Sequence, residues 1–432
     1  MRLAALAVVA GLAAAATGSA GCGGTTGTVQ VTLATAPDST VLDGVQTLRL
    51  TLTDPRQVTV AQRTSTGFDL ALEVDAGSQT GALIVEGLDA SGALVACGQS
   101  PAFPIGAINA RITVYVAAPL SIAAAPVGLT APRSEIAGAA LSFGAVLAGG
   151  RDANGAPTAD IAIYNAFDHT FIAGLGLPAA RTGPAMVAGT GDGVYLFGGT
   201  GPDGVPTGTL WLFDTTVAPS GAYTTLADDA QFARTGERAL AVGLITGTPG
   251  LSFDGSATVT AVTAVASLPA AAAVNATPAA VFVGDSLIRF RQGMFDTIPG
   301  DGRTGAGAVA LPSGKIAVVG GGAPLAFDAL LIDPDAATVT SVPDVLVTAR
   351  ANPAIAATSR YVVVAGGTDA TGAPIGSAEV LDATTLAPIT TIAIPAVAGA
   401  VAIALPDDQV LLAGGTPGSA DLLLFTPDPP PL

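Results

Sequence analysis

Side chains suited to chemistry are few in this chain of 432 residues, and five of the most regularly placed are arginines. Arg133, Arg181, Arg303 and Arg350 stand 16, 17, 17 and 16 residues before a glycine pair. Arg234 opens an Arg234-Thr235-Gly236 triplet like Arg181-Thr182-Gly183 and Arg303-Thr304-Gly305. A guanidinium is planar, permanently charged and rich in donors, so such a set has two uses. It can grip an anionic ligand or acidic glycan, or it can bond main-chain carbonyls and the recurrent aspartates Asp214, Asp333 and Asp382. Repetition at every equivalent position weighs toward the structural use. The one histidine, His169, sits beside Asp168 between two strands and reads as an exposed turn residue rather than a base or ligand. Serine and cysteine hydrolase arrangements then lack a base. No His/Cys cluster has metal-ligand spacing, so no metal or cofactor is expected. Asp-rich turns such as Asp333-Pro334-Asp335 lack the spacing of a calcium loop. A glycosidase-type carboxylate pair stays open, because its members need not be near in sequence.

The N-terminus carries a second kind of chemistry. Arg2 precedes 14 apolar residues, Leu3 to Ala16, followed by small residues up to Cys22. A membrane-spanning helix needs about 20 apolar residues, so this stretch reads as an export signal. Ser19-Ala20-Gly21-Cys22 resembles the bacterial lipobox, whose cysteine thiol receives a diacylglyceryl group before cleavage; Ser19 stands where that family prefers Leu. The resemblance implies a signal peptide over residues 1–21, lipidation of Cys22 and a flexible tether over 22–27. Gly23, not Asp, follows the cysteine, which by the same resemblance implies the outer membrane. Cys97, the other cysteine, is then expected to be a small buried side chain.

These groups must be positioned by strands. Gly 55 and Pro 31, with only 11% charged residues and 50% hydrophobic ones, describe many short strands joined by turns. A net charge of −17 and the lack of any basic stripe exclude nucleic acid as a partner. Residues 28–117 alternate with period two, as in Val29 to Leu33, Thr47 to Thr53, Phe68 to Val74 and Arg111 to Val116. Leu83 to Leu88 and Leu94 to Cys97 flank the turn signal Asp89-Ala90-Ser91-Gly92. About seven strands in this space suggest an immunoglobulin-like β-sandwich. The 17 apolar residues Ile389 to Leu405 carry Pro395 and Gly399 and are expected to form two core strands.

Over residues 118–432 five apolar runs end in glycine pairs, with first glycines at Gly149, Gly198, Gly320, Gly366 and Gly414. Their spacings are 49, 122, 46 and 48. A turn follows each (Asn154-Gly155, Asp203-Gly204, Thr371-Gly372), then a strand that commonly ends in Asp. Four strands per unit with a glycine doublet after the second resembles the Kelch repeat, which implies a β-propeller. The interval of 122 holds two degenerate units; counting both predicts seven blades, merging them six, and seven is the expectation. In it Ala279 to Val283 and Leu287 to Phe290 are expected to be the first two strands of a unit. Too few residues follow Gly415 for a fourth strand, so Leu120 to Thr130 is expected to complete the last blade and close the edge. Copper-radical oxidases resemble Kelch propellers but need two histidine ligands, which one histidine excludes. The function expected is that of a non-catalytic binding or scaffolding lipoprotein of the cell envelope, whose partner is an envelope protein or glycan. The alternative is a polysaccharide-active enzyme using carboxylates and arginines.

Overall fold

In a computed structural model the chain is described over residues 26–431, except 66–67, 69, 76–78, 106–110, 190, 229–239, 242–243, 246–250, 254–258, 262–271, 277–278 and 292–293. Cys22 and Arg234 therefore lie outside the described residues. The described residues form an all-β fold built from several four-stranded antiparallel sheets, compatible with a β-propeller.

The N-terminal part pairs Thr26–Ala34 with Ala71–Asp75 and with Arg111–Tyr115, the latter in parallel. A second sheet runs Gln57–Gln62, Thr47–Leu52, Leu83–Leu88, Leu94–Gln99. Val29, Ile112 and Val114 of the first sheet share a core with Leu48, Leu50, Leu52 and Val85 of the second. That is where the period-two pattern directs them, since alternate residues face one side. The turn at Asp89 forms as its residues suggest: the carboxylate accepts the N–H groups of Ser91 and Ala93, and Gly92 takes φ +83°.

Among the described residues five four-stranded sheets and one seven-stranded sheet follow; with Pro388–Ala404 counted in two halves and Ser121–Ala124 as the last strand, they make seven groups of four, numbered here as units 1 to 7. Their first strands are Ala137–Leu141, Ala185–Ala188, Leu240–Ala241, Ala272–Ala276, Gly307–Ala310, Ala354–Ala357 and the second half of Pro388–Ala404. Each first strand touches that of the next unit, and Pro388–Ala404 touches Ala137–Leu141, so the order of neighbours returns to its start. The second strands, such as Gly144–Ala148, Gly193–Phe197 and Tyr361–Ala365, are buried at every residue. This is why they read as unbroken apolar runs: both faces meet a neighbouring unit. Each Val or Leu so enclosed contributes about 1.5–3 kcal/mol. The fourth strands Thr170–Ile172, Met294–Thr297 and Thr338–Val342 are mostly exposed or half-buried.

The glycine pairs mark where a unit meets the next. Gly149 and Gly150 have φ of +64° and +106°. A Cβ on the first would lie 2.5 Å from the Arg181 carbonyl, and on the second 2.5 Å from the Ser134 carbonyl. Only glycine combines that backbone with that approach.

Two expectations about strands change. Ala279–Val283 and Leu287–Arg291 are the second and third strands of unit 4, because Ala272–Ala276 precedes them. The run expected as two strands is one, Pro388–Ala404, which pairs with Ile375–Asp382 at one end and with Val410–Thr416 at the other. No polar break of the kind found between other units interrupts it, and units 6 and 7 become a continuous seven-stranded sheet. The expected pairing of the chain ends is present: Ser121–Ala124 lies antiparallel to Leu423–Thr426, Ile122 opposite Phe425.

Candidate functional site

Arg133, Arg181, Arg303 and Arg350, the repeated arginines among the described residues, each precede the first strand of their unit and turn inward. Arg133 donates to the carbonyls of Gly149 and Asp160, both at 3.0 Å, and Arg350 to those of Gly366 (3.0 Å) and Ser377 (2.9 Å). Arg181 donates to the Gly198 carbonyl at 2.8 Å and lies 3.6 Å over the Trp211 ring. Arg303 reaches the carbonyl and, at 2.5 Å, the carboxylate of Asp328. In units 1 and 6 the guanidinium thus clamps the end of the second strand to the start of the third within its own unit.

The main chain of the same residue holds the preceding unit. The Gly150 N–H donates to the Arg181 carbonyl, and the Gly321 N–H to that of Arg350.

Of the two uses weighed for these arginines, the contacts are those of the structural one. Arg133, Arg181 and Arg350 are 4, 2 and 0% exposed and are committed to internal acceptors. Burial lowers the proton affinity of Arg133 and Arg350, and the carboxylates Asp160 and Glu379 oppose that. Glu379, also buried, bonds Arg350 Nη2 at 2.6 Å and accepts the N–H groups of Val347 and Thr348.

The recurrent aspartates are not arginine partners. Asp214, Asp333 and Asp382 each accept N–H groups two or three residues ahead, closing the turn after the third strand. Short polar side chains meet nearby N–H groups before distant ones.

His169 departs most from expectation. It is 1% exposed, with φ +55°. Its Nε2 accepts the Tyr115 N–H at 3.1 Å, so the neutral ring carries its proton on Nδ1, which donates to Tyr164 Oη at 2.7 Å. Burial pushes its pKa down to about 4. The ring pins the strand Arg111–Tyr115 to unit 1, a role that no local sequence signal announces. Cys97 is buried as expected, its Sγ 3.2 Å from the Pro427 carbonyl and its pKa pushed up to about 12 by burial.

Sequence reading also missed the carboxylates that tie units together. Asp192 accepts the N–H and Oγ–H of Ser142 in unit 1, and Asp408 does the same for Ser359 in unit 6. Nearby, Asp407 is fully enclosed and its pKa is pushed up to about 8 by burial. Its Oδ2, both amide atoms of Gln409 and Thr426 Oγ1 have no protein partner. Asp407, Gln409, Thr426 and Cys97 border a cavity of about 10 Å³, about the room of one water molecule.

A larger cavity, about 240 Å³, lies between units 6 and 7. Ala365, Ile394, Val397 and Leu412 supply apolar walls, and Gly414 and Asp421 polar ones. Among the described residues no cluster of three or more His, Cys, Asp or Glu side chains has a geometry to hold a metal ion, and no helix is long and apolar enough to cross a membrane.

No family model matches the sequence, and no curated protein matches it.

Proposed function

We propose that the protein is an exported lipoprotein, held at the outer membrane through Cys22, whose Kelch-like propeller of seven blades binds or scaffolds an envelope protein or glycan. An immunoglobulin-like domain over residues 28–117 lies between the anchor and the propeller. One observation carries the reading. The glycine-pair repeats of the sequence coincide with units of four antiparallel strands whose neighbour order is cyclic, and the first such strand in the chain pairs with the last. A ring of that kind is a rigid platform that presents loops for recognition. The repeated arginines hold the platform together, so recognition falls to its surface and to the gap between units 6 and 7.

Two measurements test this. Metabolic labelling with a fatty acid should mark the wild type and not Cys22→Ala, whose precursor should be processed slowly or released in soluble form. Equal labelling of both would sink the lipid anchor. The chain from Gly23 onward, applied to an array of envelope glycans and to envelope extract, should retain a partner unchanged. Recovery of shortened glycans would replace the binding reading with a polysaccharide-active enzyme.

A further inference from the structure

Unit 7 lacks the arginine that units 1, 2, 5 and 6 carry. The position is identified by two independent marks. Val397 stands 17 residues before Gly414, as Arg181 stands before Gly198 and Arg303 before Gly320. The Gly367 N–H donates to the Val397 carbonyl at 2.9 Å, as the Gly150 N–H does to Arg181 and the Gly321 N–H to Arg350. Val397 therefore has the arginine's main-chain role without its guanidinium.

The acceptors that an arginine would use are still in place. Gly414 matches Gly149, Gly198 and Gly366, whose carbonyls each accept an arginine N–H. Asp421 matches Asp160: its N–H donates to Ser419 Oγ at 2.9 Å, as the Asp160 N–H donates to Thr158 Oγ1 at 2.9 Å. Asp328, immediately before the third strand of unit 5, shows what such a carboxylate does when an arginine is present, pairing with Arg303. Among the described residues no arginine or lysine pairs with Asp421. The space left by the shorter side chain is the 240 Å³ cavity, bordered by Val397, Gly414 and Asp421.

We propose that this cavity is a socket for an arginine side chain of a partner polypeptide, which supplies in trans the guanidinium that units 1, 2, 5 and 6 supply in cis. The idea rests on the binding reading above and gives its partner a chemistry. Apolar walls suit the aliphatic stem of an arginine, and the carbonyl and carboxylate suit its planar, weakly hydrated head. Lysine, a compact and strongly hydrated charge, fits the same walls less well. The net charge of −17 draws cationic segments toward the surface before docking.

The test uses labelled pentapeptides with a central arginine, lysine or citrulline between leucines, titrated against the chain from Gly23 onward by fluorescence anisotropy. The arginine peptide should bind most tightly, with citrulline weaker by roughly tenfold or more because it lacks the charge. Val397→Arg should fill the socket from within, lowering arginine-peptide affinity by roughly tenfold or more and raising the urea midpoint. Asp421→Asn, which keeps the shape of the site, should weaken the arginine peptide several-fold and leave citrulline unchanged. Equal binding of arginine and citrulline peptides, or no binding of either, overturns the socket. So does arginine-peptide binding that neither variant alters. A Val397→Arg protein that still retains the envelope partner would remove the socket and leave the binding reading standing. A wild type that retains no partner would remove the binding reading itself.

Discussion

His169 and Asp407 face opposite costs in the interior, and together they shape how stability depends on pH. The imidazole has a pKa of about 4 when folded and of 6.5 as a free side chain, so the unfolded chain takes up a proton that the folded chain refuses. Its contribution is complete above about 6.5 and is lost as pH falls through 4. Asp407 is the reverse, about 8 when folded against 3.8, so the folded chain keeps a proton that the unfolded chain releases. Its contribution is complete below about 4 and is lost as pH rises through 8. Between about 4 and 6.5 the two slopes oppose one another, each about 1.4 kcal/mol per pH unit. Above 6.5 only that of Asp407 remains, which removes about 2 kcal/mol by pH 8. Thermal unfolding should therefore be nearly level from pH 4.5 to 6.5 and fall by several degrees by pH 8.5. Asp407→Asn should abolish the alkaline fall and uncover an acid one below 6.5. A wild-type melting temperature that rose between pH 6.5 and 8.5 would show that Asp407 titrates normally. Neither residue's environment was legible locally, because contacts from distant strands bury both: Tyr115 for His169, and Thr426 with Cys97 around the Asp407 cavity.

At the scale of strands, the arginine clamp explains how short ladders of four or five pairs stay in register. In unit 6 Arg350 holds Gly366 and Ser377 together, and Glu379 fixes the loop that delivers Arg350. Removing the arginine alone leaves a buried carboxylate without its partner. Arg350→Met should cost about 3–5 kcal/mol in urea unfolding, and adding Glu379→Gln should restore a good part of it. If Arg350→Met cost less than about 1 kcal/mol, the clamp would be ornamental and the arginine spacing would need another cause. Arg350→Lys should resemble Met more than Arg, since an ammonium cannot reach two carbonyls and a carboxylate in one plane.

For the whole molecule, the seventh unit is assembled from two segments far apart in the chain, with Ser121–Ala124 beside Leu423–Thr426. The strand Arg111–Tyr115 meets the same region, where Tyr115 packs with Leu422 and Leu424 and its hydroxyl donates to the Ala124 carbonyl. Deleting residues 421–432 removes Leu422, Leu424 and Phe425 from the core, about 1.5–3 kcal/mol each, and strands the closing segment. The urea midpoint should fall by roughly 1 M or more. A chain beginning at Arg133 should fail in a similar way, because it leaves Leu423–Thr426 as an open edge. An open stack of units would tolerate either loss, since its stability is a sum of neighbour terms. An unchanged midpoint in either truncation would favour that stack over a closed ring.

Local physics made much of this readable from residue order. Glycine pairs mark backbones that must turn at positive φ under a neighbour's carbonyl, and they recur because the units recur. Unbroken apolar runs mark strands enclosed on both faces, and the arginine spacing follows from the fixed length between a unit's first strand and its glycines. Polar turn residues announced the hairpin at Asp89 for the same reason, since an Asp side chain bonds the N–H groups just ahead of it. Tertiary packing alone decided where the charges went. The arginines looked inward because the nearest free acceptors are carbonyls of their own unit, and the aspartates stayed with their turns. The apolar stretch at residues 389–405 became one strand because nothing polar interrupts it between two sheets that both need an edge. Val397 looks like any core valine in sequence. Only its place in the ring makes it the missing member of an arginine set, with a cavity beside it.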